Sequence, residues 1–502
     1  MKTIHHKKIY FFSIWLCALL FLWIPYIFSY FAFIDEAGLF ASAIQLAKGK
    51  LIYKDVFEPK GPFLLWIYLL MVKISATHYT LILHLTLLCL IILNSFLIYK
   101  ILLKDIKREF AFIAFLYPFF LACFYPGNMA GSREPFFTFF ILITFYLLLY
   151  FSHKNKLVFL AGIIAGSTLL FKPFSIFSIL SCGFLSYYYT KVRLKPLIFF
   201  IASSIVPVFF IFYLFHKGLL SDFWLWNVKY AIFISKTIPL WRKIYHTLAM
   251  LGRLLLFNPV YLMFGIPVIF NKSLFLKNID IVLLFFSTLL WAIMHGLPFP
   301  HYYIPLIPFI FLLSVKGFYN FHQIYTFGKV KKYFYLLILL SISQSLLHWN
   351  GIDFHKQWIR FIKEKKWEAR YEKNKDIELI NYIQENVPQN EKIVLWGLNP
   401  RIYIFSEREP GTRFISSVEP VNGFVYYDIR KIIQFPEAEQ LFLYDLESNK
   451  VKYFIDVTNK SLLNMGYYTI DKYPAIAKYL YENFILIGNI NGCYIWKRSS
   501  YE

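Results

Sequence analysis

Long apolar runs with neither alternation nor a polar face constrain this chain more than any motif does; residues 9–33, 81–103 and 334–347 are examples. A run of roughly 17 to 25 residues matches the hydrocarbon core of a bilayer when helical, and a helix satisfies its own backbone hydrogen bonds there. With 58% of 502 residues hydrophobic and 16% charged, there is too little polar surface to wrap two or three soluble domains. Lipid is therefore the solvent for most of the chain. Apolar blocks near 10–33, 79–103, 109–126, 134–152, 157–171, 174–190, 196–215, 246–270, 279–297, 301–318 and 333–349 predict about eleven transmembrane helices. The stretch 61–76, interrupted by Lys73, is read as a helix in or dipping into the outer interface, because a span there would invert every later loop.

The first block is too long for a cleaved signal, lacks a small-x-small cleavage site and runs directly into Asp35 and Glu36, so it reads as a retained span. The formal net charge of +23 has an explanation that needs no nucleic acid. If the N-terminus with Lys2, Lys7 and Lys8 is cytoplasmic, then Lys104, Lys107 and Arg108, Lys154 and Lys156, Lys191, Arg193 and Lys195, Lys272 and Lys277, and Lys329, Lys331 and Lys332 all fall on that same side. The longer loops, near 34–78 and 216–245, fall on the opposite side and hold Asp35, Glu36, Asp55, Glu58 and Asp222. Any catalytic machinery then faces outward. The five cysteines have no metal-ligand spacing and imply neither a zinc site nor a disulfide framework.

After about residue 350 charged and amide residues become frequent and apolar runs shorten to strand length. Helix-like 376–385, strand-like 392–396, helix-like 437–447, strand-like 451–457, helix-like 475–483 and strand-like 484–488 alternate as in a small α/β domain. The expected organisation is a transmembrane domain over 1–350 and a soluble, extracytoplasmic α/β domain over 351–502. Gly162 and Gly166, four apart, predict close helix packing.

Four segments could carry chemistry. Asp35 and Glu36 stand where the first span leaves the membrane: they either mark a span end or form a general base with a supporting acid whose pKa the interface tunes. Glu134, beside Arg133 at the start of a span, is either half of an ion pair or an active-site acid. Lys172, before Pro173, is a snorkelling interface lysine or a phosphate ligand. His301 and Tyr302 open a Pro-marked span, where an interface aromatic belt would also account for them.

Taken together, the acidic pair Asp35-Glu36, a short helix, Gly49, Tyr53-Lys54-Asp55 and Glu58-Pro59-Lys60-Gly61-Pro62 resemble the first outer loop of the GT-C glycosyltransferases. More narrowly they resemble the branch holding the dolichyl-phosphate-mannose protein mannosyltransferases and the bacterial lipid A and lipopolysaccharide-core sugar transferases. Gly131-Ser132-Arg133-Glu134, Phe171-Lys172-Pro173, His301-Tyr302-Tyr303 and, in the soluble region, Trp396-Gly397-Leu398-Asn399-Pro400-Arg401 with Arg413 extend the likeness. The resemblance implies a sugar transferase of the outer face of the cytoplasmic membrane. Its donor would be a polyprenyl-phosphate-linked sugar and its acceptor a hydroxyl on lipid, glycan or protein. It implies Asp35 as base, Glu36 and Glu134 as further catalytic acids, and Lys60, Arg133, Lys172, Tyr53, Asp55, His301 and Tyr302 as substrate-binding residues. No cofactor and no metal ligand are expected, although the acids and a phosphate together would suit a hard divalent cation. Two readings from other classes compete: a flippase for polyprenyl-linked glycans, which would bury ionisable groups at mid-membrane, and a polysaccharide polymerase or ligase using the loop at 216–245 with Asp222, Arg242 and Lys243.

Overall fold

The computed structural model describes residues 12–13, 15–21, 23–24, 27–28, 34–59, 61–122, 132–257, 259–296, 299–324, 373–415, 418–425, 431–460 and 465–499. Lys60, parts of the expected span at 10–33 and the whole of the expected span at 333–349 lie outside the described residues.

The protein is a mostly helical, multi-pass membrane protein with one small sheet. Among the described residues four helices are long and apolar enough to cross a bilayer: Tyr79–Leu102, Glu134–Phe151, Leu194–His216 and Pro300–Gln323. Shorter apolar helices cover Pro62–Ile74, Asn155–Leu170 and Ile279–His295. Of the block expected over 109–126, residues 108–122 form one continuous helical run, Arg108–Ala111, the 3₁₀ turn Phe112–Leu116 and Tyr117–Ala122, and 123–126 lie outside the described residues.

Contacts divide the chain into two units. The first comprises residues 1–29, 81–213 and 238–369. Its core is built from apolar faces of the helices: Phe137, Ile141, Phe145 and Leu148 of one meet Ile281, Leu284, Trp291 and Phe311 of others in a single buried cluster. Two glycines let backbones touch. A Cβ on Gly166 would meet the carbonyl oxygen of Ser203 at 2.0 Å, and one on Gly162 would meet that of Phe199 at 2.4 Å. The predicted small-residue contact thus joins the Asn155–Ser167 and Leu194–His216 helices.

The second unit comprises residues 30–80, 214–237 and 370–502. Its sheet has the order β2-β1-β3-β5-β4, with β1 (Lys392–Trp396), β2 (Glu409–Pro410), β3 (Tyr453–Asp456), β4 (Phe484–Ile490) and β5 (Cys493–Arg498). β1 pairs in parallel with β2 and β3, and β5 runs antiparallel to β3 and β4. β1 is apolar and buried, as a central parallel strand should be. Helices Lys373–Asn386, Arg401–Ser406, Pro436–Ser448 and Pro474–Asn483 accompany the sheet, and the Ile34–Ala47 helix packs on Arg401–Ser406. Lys48, just past the end of that helix, pairs with Glu409 at 2.8 Å.

Candidate active site

The residues singled out from the sequence fall into two groups, one in each unit. In the first unit Glu134 opens the Glu134–Phe151 helix, with Pro135 at the position where a missing N–H does no harm. It is 1% exposed and its neighbour Arg133 6%. The guanidinium spans two long contacts of 3.5 Å, from Nε to Glu134 Oε1 and from Nη1 to the carbonyl of Phe171. Glu134 also lies within electrostatic reach of His301 and Lys172. The buried carboxylate is thus accompanied by the Arg133 guanidinium and the Lys172 ammonium.

Lys172 sits in a break between two 3₁₀ turns, Thr168–Leu170 and Pro173–Ser175. The break has a local cause, since a residue before proline is pushed out of the helical region, and Lys172 is extended at φ −165°. Ser175 repairs the gap: its hydroxyl donates to the Lys172 carbonyl at 2.8 Å. The ammonium donates to His295 Nε2 and lies 4.9 Å from the centre of the Tyr302 ring and 5.8 Å from that of Trp291. Those are cation–π distances.

His295 is the last residue of the Ile279–His295 helix, which ends on Gly296 in the left-handed region at φ +71°. A side chain at Gly296 would be strained there and would meet Lys243 Cγ at 2.5 Å. His246 Nδ1 lies 3.0 Å from the Gly296 carbonyl, and Tyr303 donates to Thr247 at 3.3 Å. His301 and Tyr302 belong to the 3₁₀ turn Pro300–Leu306. Tyr302 touches both histidine rings, its centroid 4.3 Å from each. The structure therefore brings Arg133, Glu134, Lys172, His301 and Tyr302 together and adds His295, Trp291 and Lys243.

In the second unit Asp35 is half-buried and Glu36 fully buried in the first turn of Ile34–Ala47. The motif that follows is a closed loop. Asp55 Oδ2 accepts from the Leu51 N–H at 2.8 Å, Asp55 N donates to the Leu51 carbonyl at 2.9 Å, and Tyr53 N donates to the Val56 carbonyl at 2.8 Å. Tyr53, buried and at φ +69°, pays for this tight turn in backbone strain. The loop is anchored by Trp226, whose indole N–H donates to the Tyr53 carbonyl at 3.1 Å, and by Asn227, whose amide donates to the Glu58 carbonyl at 3.3 Å. Both anchors come from a π-helical turn, Trp224–Lys229. Arg413 grips Asp445 with Nε at 2.9 Å and Nη2 at 2.8 Å, and its carbonyl accepts from Phe57 N at 2.8 Å. Burial pushes the Asp222 carboxyl above its ordinary pKa, against the pull of Arg413 and Lys54. Among the described residues no three His, Cys, Asp or Glu side chains converge as a metal site.

Sequence reading passed over His295 and Trp291. The available signal was His295-Gly296 at the end of an apolar block, six residues before His301.

No protein-family model and no curated protein sequence matches this chain. Solved structures do. The Archaeoglobus fulgidus oligosaccharyltransferase in its apo form matches with a TM-score of 0.54 at 12% identity, over 99% of this chain and 75% of that one. Archaeal oligosaccharyltransferase AglB from the same organism, in complex with an inhibitory peptide and a dolichol-phosphate, matches with a TM-score of 0.50 at 12% identity, over the same shares. At such identity the likeness is one of fold alone.

Proposed function

We propose that the protein is a glycosyltransferase that moves a sugar from a polyprenyl-phosphate carrier to an acceptor hydroxyl at the outer face of the cytoplasmic membrane. The observation that carries this reading is the group Arg133, Glu134, Lys172 and Tyr302, where cations and aromatic rings gather at the ends of apolar helices. A lipid phosphate needs cations at headgroup depth. The fold of a dolichol-phosphate-binding oligosaccharyltransferase supports the same donor class.

In this reading the acceptor oxygen attacks the anomeric carbon as the bond from that carbon to the phosphate oxygen breaks. The electron pair leaves with the phosphate, and the hydroxyl proton passes to Asp35, giving inversion. Glu36 orients Asp35 or the acceptor, and Glu134 completes the acidic wall. Lys60, Arg133 and Lys172 neutralise the departing phosphate, with His301 and Tyr302 beside it; Tyr53 and Asp55 shape the loop carrying Lys60. The catalytic domain is 1–350, and 351–502 is its extracytoplasmic partner. The acceptor class stays open among lipid, glycan and protein.

The test is transfer of radiolabelled sugar from a panel of polyprenyl-phosphate sugars in proteoliposomes, with Asp35→Asn and Glu134→Gln at equal expression. Transfer by the parent and a drop of at least about a hundredfold in either variant is expected, the usual worth of a general base or preorganised charge. Carriers crossing the bilayer without losing their sugar would favour the flippase instead.

A further inference from the structure

Residues 34–58, which hold the candidate base and the motif loop, are built into the same compact unit as the region after residue 370. Two of their side chains sit in its core: Ala41 and Val56 are buried in one apolar cluster with Leu379, Ile383, Ile402 and Ile415. Hydrogen bonds inside the loop close the turn from Leu51 to Val56 and leave Tyr53 in the left-handed region at φ +69°. A tyrosine persists there only where its surroundings hold it.

Past that turn the hold comes from one residue of the region after 370. The Arg413 carbonyl accepts from the Phe57 N–H at 2.8 Å and from the Ile415 N–H at 3.0 Å. The Arg413 N–H donates to Asp445 Oδ2 at 2.9 Å, and the same carboxylate receives Nε at 2.9 Å and Nη2 at 2.8 Å. Three donors of one residue thus converge on Asp445, which fixes Arg413 by backbone and side chain at once. Rings close the joint: Phe57 lies 5.5 Å from Phe414 and 4.9 Å from Trp226. An exposed ion pair would add little order, but this one is largely buried.

We propose that Asp445 is a positioning residue for transfer, which through Arg413 and Phe57 holds the loop leading into Lys60. This rests on the transferase reading for the reaction, and the experiment separates the two. The full chain in nanodiscs is compared as the parent, Asp445→Ala, Asp445→Asn and the double variant Arg413→Met/Asp445→Leu. Hydrogen exchange of peptides covering 50–58 needs no substrate and is read first. Asp445→Ala should lose about tenfold in protection there, the worth of one hydrogen bond. Asp445→Asn keeps an oxygen for the Arg413 N–H, so it should recover most of that protection while melting early, its guanidinium left without a counter-charge. The double variant strands no charge and should melt near the parent, yet it offers no acceptor to the N–H of residue 413 and should lose the protection. Loop order and stability thus part in opposite directions. With the labelled donor, Asp445→Ala and the double variant should lower kcat about ten- to a hundredfold, as a misplacement near 1 Å does, and leave KM within about threefold. The proposal is overturned if protection over 50–58 follows melting temperature rather than the presence of an oxygen at position 445, or if both variants keep the parent's kcat. A parent that takes sugar from no donor defeats the transferase reading, while the exchange series still decides whether Asp445 holds the loop.

Discussion

Asp456, at the end of β3, gives one carboxylate oxygen to two donors of Thr458, the backbone N–H at 2.9 Å and the hydroxyl at 2.6 Å. Burial nevertheless dominates and raises its pKa, with Asp471 adding to the effect and Thr458 opposing it. A carboxyl that holds its proton more tightly when folded makes the native state bind more protons than the unfolded one, so stability falls as pH rises from the ordinary carboxylate range through the raised value. Asp456→Asn keeps the accepting oxygen and removes the charge. The variant should melt above the parent at pH 7, and the gap should narrow as the pH is lowered toward 4; a melting curve series checks this, and an unchanged gap would refute it. Arg413 and Asp445 form a largely buried ion pair. Their side chains are only 11% and 7% exposed, so Asp445→Ala strands a buried guanidinium and should cost about 3 kcal/mol, seen as an earlier thermal transition. Of the candidate site, Glu134 and Lys172 were legible because each breaks an apolar pattern beside a proline. His295 was not, because its significance lies in a partner 123 positions away.

Helix contacts set the tolerance of the apolar region to substitution. Gly166 abuts backbone: a Cβ there meets the carbonyl oxygen, carbon and Cα of Ser203 between 2.0 and 2.7 Å. For Gly183 the three nearest atoms all belong to the ring of Phe200, itself 36% exposed. A ring can swing aside and a helix backbone cannot, so Gly166→Ala should destabilise by about 1–3 kcal/mol while Gly183→Ala stays within about 0.5 kcal/mol. Melting temperatures of the two purified variants decide it. At this scale several elements after residue 370 were legible. The expected helices at 376–385, 437–447 and 475–483 correspond to Lys373–Asn386, Pro436–Ser448 and Pro474–Asn483, and β1 falls on the expected residues. β5 was missed, although Asn491 and Gly492 take positive φ of 52° and 86° between β4 and β5, the signature of a two-residue hairpin turn. The signal was in the sequence as Asn-Gly before the alternating Cys-Tyr-Ile-Trp. Illegible by its nature was the grouping of Phe57, Trp226 and Phe414, whose rings meet at 4.9 to 5.7 Å across three distant segments.

For the whole molecule the remaining question is which way it threads the membrane, and charge gives the answer to be tested. Lysines and arginines cluster in alternate loops, at 104–108, 154–156, 191–195 and 272–277, together with the N-terminus, whereas four of the nine acids before residue 350 lie at 35–58. Cytoplasmic loops retain positive charge, so the basic set is expected inside, and Asp35, Glu36 and the region after 370 are expected outside. Two exposed lysines serve as reporters in a chain whose five cysteines have been replaced: Lys478, with 74% of its side chain exposed, and Lys277, exposed beside the Ile279–His295 helix. Lys478→Cys should react with a membrane-impermeant maleimide on intact cells, and Lys277→Cys only after permeabilisation. The outcome bears directly on chemistry, because nucleotide-activated sugars are cytoplasmic and a site on the far side must draw on a carrier that has already crossed. The reverse labelling pattern would place the acidic pair with the nucleotide sugars, remove the reason for a lipid-linked donor and leave the cationic group at Lys172 in need of a different anion.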